Sequence, residues 1–165
     1  GRVFTGDRSG DFLWAAMHAT GFANQAVGRS RDDGLTLTGA YVAAAVRCAP
    51  PANKPLPEER DACLPYLVRE LALLPEARVI VCLGGFAWEA VLRTLATAGI
   101  AVREAGRPMP RFGHGAEAVV GPYRLLGAYH PSQQNTFTGR LTPAMFESVL
   151  ARAAELGSVS FSTGW

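Results

Sequence analysis

The chain has 165 residues, 48% of them hydrophobic, with a formal net charge of +2. That is one domain of ordinary size with enough apolar material for a core. The mildly basic balance permits a polyanionic partner without demanding one, and no run is long and apolar enough to cross a bilayer.

In chain order, apolar residues Phe12, Leu13, Ala16 and Met17 fall at helical spacing and predict a first helix from about Ser9 to Gly21. Residues 24–38 are polar and glycine-bearing and read as a loop. The small apolar run "AYVAAAVRC" (40–48), stopped by Pro50, predicts a buried strand. "EERDACLPYLVRELALL" (58–74) predicts a helix, with Pro57 just ahead and acids in its first turn. Pro65 should mark a kink or a restart within it. "ARVIVCLGG" (77–85) is the clearest strand and "FAWEAVLRTLATAG" (86–99) the clearest helix. Residues 103–115 are rich in Gly, Pro and Arg and read as a loop. "EAVV" and "YRLLGAYH" predict two strands about a Gly121–Pro122 turn. Thr142 and Pro143 predict the N-cap and first position of a last helix, 142–156.

Apolar strands alternating with helices predict an α/β fold: a three-layer α/β/α sandwich around a central, mainly parallel sheet of four strands. The 165 residues form a single domain in this reading. Ligands in such sheets bind beyond the carboxyl ends of the strands. Polar clusters at 48–63, 84–88 and 130–141 fall at those ends. Lys54 is the only lysine, so arginine carries nearly all the positive charge. Arginine forks suit phosphate, and the same bias also follows from a GC-rich genome. Three cysteines without a secretory signal argue against a disulfide framework. Cys82 lies in a strand run and reads as a buried thiol. Cys48 and Cys63 flank a proline-rich loop, a placement that suits ligands better than core. Gly1 is not a methionine and the first residues already look like a working motif, so an N-terminal part is expected to be missing.

Three stretches, "GRVFTGDRSGDFL", "AAVRCAPPANKPLPEERDAC" and "HPSQQNTFTGRLT", stand in that order. Together they resemble the uracil-DNA glycosylase superfamily, and within its iron–sulfur branch the type 5, or family B, enzymes. The resemblance covers nearly the whole chain. It implies an enzyme that flips a deaminated or damaged base out of DNA and hydrolyses its glycosidic bond.

His130, by that resemblance, donates a hydrogen bond to the charge gathering on the leaving base. Asp7, preferred to Asp11, stabilises the sugar cation and orients water. Phe4 matches an aromatic that stacks on the flipped base. Ser132 would bind a phosphate, and Gln133, Gln134 and Asn135 would fill the gap in the stack and touch base edges. Arg140 and Lys54 would also contact DNA. Where related enzymes carry an Asn that reads the uracil edge, this chain has Ala43; Asn53 is the substitute candidate, and hypoxanthine or ethenocytosine join uracil as candidate substrates. Cys48 and Cys63 match the second pair of ligands to a 4Fe–4S cluster, with the other pair expected upstream of Gly1.

Each residue also has a plainer reading. His130 can cap a turn, Phe4 can be core, either Asp can serve the helix N-terminus, Asn53 can sit in a turn, and the two cysteines can be free thiols. An iron–sulfur electron carrier leaves "HPSQQN" unexplained. A non-catalytic iron–sulfur DNA-binding module on the same fold remains the alternative. A dinucleotide-binding domain is weaker, because "GGFAWE" lacks the spaced glycines. The expected setting is a cytoplasmic monomer acting on damaged DNA.

Overall fold

The computed structural model describes residues 2–47, 55–103, 106 and 108–158. Asp7 starts the first helix, α1 (Arg8–Ala19): its backbone is extended and its carboxylate accepts the Gly10 N–H at 2.7 Å. That bond satisfies one of the donors a helix N-terminus leaves open. α1 buries Leu13, Trp14, Ala16 and Met17. The polar loop that follows is closed at its base by an antiparallel bridge between Ala23 and Leu37.

The run from Ala40 to Arg47, expected as a strand, carries none. Its residues alternate in burial at the start, and Ala40 and Val42 pack on the core. Side chains hold the run instead of a ladder. The Tyr41 hydroxyl donates to Glu70, and Arg47 pairs with the same carboxylate. A strand exists only through bonds to a neighbouring strand. Composition signals an extended apolar stretch but not whether a partner lies beside it.

α2 (Pro57–Ala72) runs through Pro65 as one helix, so of the kink or restart expected there the restart does not occur. It leads to β1 (Val79–Leu83) and α3 (Gly85–Thr97). β2 (Glu117–Val120) and β3 (Tyr123–Ala128) form the expected hairpin about Gly121 and Pro122. The sheet has three strands in the order β1-β3-β2. β1 pairs with β3 in parallel, from Val79 opposite Arg124 to Leu83 opposite Ala128. β2 pairs with β3 antiparallel. The expected four-stranded, mainly parallel sheet is thus a mixed three-stranded one among the described residues. The run at 40–47 accounts for the missing strand.

Helices cover both faces of the sheet. Adjacent residues in β3 point to opposite faces, and both are buried: Leu126 enters a core with Leu13, Trp14, Met17 and Phe146, while Leu125 enters one with Cys82, Trp88, Leu92 and Leu95. Complete burial of each leucine contributes about 1.5–3 kcal/mol. The first core joins the sheet to α1 and to α5 (Pro143–Ser158), and the second joins it to α3, on which α2 packs. α5 begins as read, with the Thr142 hydroxyl accepting the Met145 N–H at 3.3 Å.

Candidate functional site

β3 ends at Ala128, and Tyr129 and His130 continue from its carboxyl end. The neighbouring strand β1 ends beside it, where the Gly84 N–H donates to the Ala128 carbonyl at 2.8 Å. Gly84 has φ 91°, and a Cβ built there would sit 3.4 Å from the His130 Cβ. Its left-handed backbone, which glycine adopts without strain, turns the chain into α3 beside the histidine. Pro131 is fully buried and anchors the chain after it.

The residues after Pro131 form a helix that the sequence reading missed, α4 (Gln133–Phe137). The signal was present: Ser132 is its N-cap, accepting the Asn135 N–H through its hydroxyl. The Asn135 side-chain amide donates to the His130 carbonyl at 2.9 Å, so it fastens the histidine loop. Gln133, Gln134 and Arg140 are exposed. Arg140 lies over the Tyr129 ring at 4.5 Å. Phe137 is 66% exposed, and Arg8 lies over its ring at 5.3 Å. Phe137 was not singled out in the sequence, although an apolar side chain in a polar loop is itself a signal.

Phe4 and Asp7 arrive from the start of the chain. The Phe4 and His130 ring centroids are 5.8 Å apart. Burial pushes the His130 imidazole below its ordinary pKa of 6.5, and the nearby Asp7 charge opposes that shift. Asp7 is therefore within electrostatic reach of His130. Asp11, in the first turn of α1, is exposed like Asp7. One carboxylate oxygen of Asp7 caps the helix, leaving the other to act elsewhere. The half-buried histidine is held towards its neutral form, in which one ring nitrogen donates and the other accepts.

A second histidine closes the rear of the site. The loop bearing Phe112 to Gly115 presses on β3: a Cβ at Gly127 would lie 2.2 Å from the Gly113 carbonyl oxygen. His114 then accepts the Tyr129 N–H through Nδ1 at 3.1 Å and stacks on the Tyr129 ring at 5.0 Å. Reading this loop only as Gly- and Pro-rich missed His114.

Cys63 lies on α2, and its sulfur accepts the Arg47 N–H at 3.3 Å. Bonds of this kind stabilise a sulfur ligand. Cys48, Asn53 and Lys54, the other candidates of that region, lie outside the described residues. No group of three metal-ligating side chains occurs among the described residues. Cys82 is buried and its thiol is pushed up to about 12 by desolvation, which suits core and not a ligand.

Residues 1–154 match the model of the uracil DNA glycosylase superfamily. The chain is 50% identical over 161 residues to a type-5 uracil-DNA glycosylase of Mycobacterium bovis, spanning 96% of this chain and 58% of that protein. It is 48% identical over 160 residues to the type-5 uracil-DNA glycosylase of Thermus thermophilus, spanning 96% and 69% of the two. A type-4 uracil-DNA glycosylase of Archaeoglobus fulgidus is 46% identical over 55 residues, 33% of this chain and 27% of that protein. The chain thus spans little more than half the length of its Mycobacterium relative.

Proposed function

Because this chain belongs to the uracil DNA glycosylase superfamily, we propose that it supplies the active site of a DNA N-glycosylase that removes uracil and related damaged bases by hydrolysis. The observation that carries the reading is the packing of the Phe4 ring beside His130 beyond the strand ends, with Asp7 near enough for its charge to act on that imidazole.

In this mechanism the target nucleotide leaves the duplex, at a cost of a few kcal/mol. Phe4 stacks on the extruded base. As the glycosidic bond breaks, its electron pair goes to the base, and His130 donates a hydrogen bond to the charge formed there. The sugar becomes cationic, and the free oxygen of Asp7 faces that charge and orients the attacking water. The water adds hydroxide to the sugar, and its proton completes the departing base. Ser132, Gln133, Gln134 and Arg140 line the exposed rim and meet phosphate and neighbouring bases, with Asn135 holding the loop in register.

Ala43 is exposed and presents no amide. A pocket with fewer polar groups to leave unpaired rejects wrong bases less strongly, which supports activity on hypoxanthine or ethenocytosine beside uracil. Cys63 and Cys48 would supply two of the four thiolates of a 4Fe–4S cluster, with the others from outside these residues. The Arg47 N–H on the Cys63 sulfur favours that use. When bound, such a cluster supplies a cross-link for the proline-rich loop and no electrons to the hydrolysis.

The test is base release from oligonucleotides carrying uracil, hypoxanthine or ethenocytosine. His130→Ala should slow release of uracil about a hundredfold or more, equivalent to roughly 3–4 kcal/mol. Ala43→Asn should narrow the range towards uracil. Equal rates for the unchanged protein and His130→Ala would end the assignment.

A further inference from the structure

Phe4 is the one non-glycine residue among those described with a left-handed backbone, at φ 57°. A bulky side chain adopts that conformation only where its surroundings impose it. Two neighbours do so. The Trp14 indole Nε1–H donates to the Phe4 carbonyl at 2.7 Å. Gly10 comes so close that a Cβ there would lie 2.1 Å from the same oxygen. The indole itself is 1% exposed, and the backbone at Gly28 presses on it, where a Cβ would be 2.5 Å from Nε1.

The other side of Trp14 is held by charge. The Arg2 guanidinium lies 5.7 Å from the indole ring centre. It forks onto Asp33 at 3.0 and 2.8 Å, and its Nε donates to the Thr5 hydroxyl at 3.2 Å. Asp33 also accepts the N–H groups of Arg29, Ser30 and Leu35, so it fastens the tip of the 24–38 loop at the same point. One carboxylate thus ties this loop to the start of the chain through Arg2, which in turn holds Thr5, the residue after Phe4.

We propose that Trp14, held by the Arg2–Asp33 pair, is a positioning residue for Phe4: it grips the carbonyl of a strained residue and so sets the Phe4 ring against His130. This rests on the base-stacking role given to Phe4 above. Trp14 touches neither substrate nor the reacting atoms. Its effect reaches the reaction only through the Phe4 ring, and that makes it separable from a purely structural tryptophan.

A double-mutant cycle in the full-length protein separates the two. Trp14→Phe keeps the buried ring and deletes the donor. It should slow single-turnover uracil release about ten- to a hundredfold, as displacement of a positioned group does, with affinity for the uracil oligonucleotide nearly unchanged. In a Phe4→Ala background the same change should have no further effect on release. Equal slowing in both backgrounds would overturn the proposal. A second readout needs no catalysis: the His130 ring protons, shielded by Phe4, should shift in Trp14→Phe in the direction seen in Phe4→Ala. An unmoved His130 signal would also overturn it. If the unchanged protein releases no uracil, the functional reading fails while the resonance experiment still judges the positioning. If Trp14→Phe does not fold, Asp33→Asn, which leaves the core intact, carries the same cycle and the same expectations.

Discussion

His130 is held between two opposing influences, and each gives a measurable consequence. Burial lowers its pKa from the ordinary 6.5, while Asp7 raises it. Asp7→Asn preserves an oxygen for the helix cap and removes the charge. The His130 pKa should therefore fall further in that variant, read from its ring protons in an NMR titration, and base release should slow. Asp11→Asn should move neither by much. A His130 pKa that rose in Asp7→Asn would contradict the arrangement. The same shift links to stability. In the window between the folded pKa and 6.5, the unfolded chain binds more protons, so stability rises with pH. The contribution is fully present above about 6.5 and lost as pH falls towards the folded value. His130→Asn should flatten that part of the profile, measured by urea unfolding from mildly acidic to neutral pH. An identical profile would show that the histidine is not the titrating group.

At the scale of the element, β3 positions everything that follows it. Gly127 allows the loop of His114 to lie against the strand, and His114 in turn accepts the N–H next to His130. Gly127→Ala places a methyl group 2.2 Å from a carbonyl oxygen of that loop. Backbone must shift to admit it, so the loss should be about 1–3 kcal/mol or more, read as a lower melting temperature. Base release should fall too, because the displaced strand end carries the histidine. A variant as stable as the unchanged protein would mean that the close approach is relieved without cost. α4 shows the same dependence in miniature. Its five residues hold together through the Ser132 cap and the Asn135 amide on the His130 carbonyl. A helix this short is marginal by itself, so its order comes from the strand end it is tied to.

For the molecule as a whole, the two described thiols report different things. Cys63 is half-buried on α2, whereas Cys82 is 1% exposed inside the second core with its thiol pushed up to about 12. In the cluster-free protein, Cys63 should be alkylated quickly under native conditions. Cys82 should react only as fast as the molecule opens, and denaturant should bring its labelling level with that of Cys63. Mass spectrometry of the alkylated peptides checks this. Rapid native labelling of Cys82 would mean that the core between β1 and α3 opens locally.

The four long helices and the three paired strands were legible because their signals are local: period-3.6 apolar spacing, Thr142 as a cap, β-branched runs and the Gly121–Pro122 turn. Phe4, Asp7 and His130 were singled out because the three motifs carry them in order, and the fold places the Phe4 ring beside His130. The run at 40–47 was misread because extension is local, but pairing needs a neighbour from elsewhere in the chain. α4 was missed because five residues are too few to show a period. Asp7 was preferred to Asp11 in the sequence, and in the fold it is the Asp7 charge that opposes the shift of the His130 imidazole. The links from Asp33 through Arg2 and Trp14 to Phe4, and from His114 to Tyr129, join positions with no common sequence signal. Only the packing of α1 and the loops around the sheet brings those side chains together, because hydrogen bonds and ring contacts depend on ångström distances that sequence spacing does not encode.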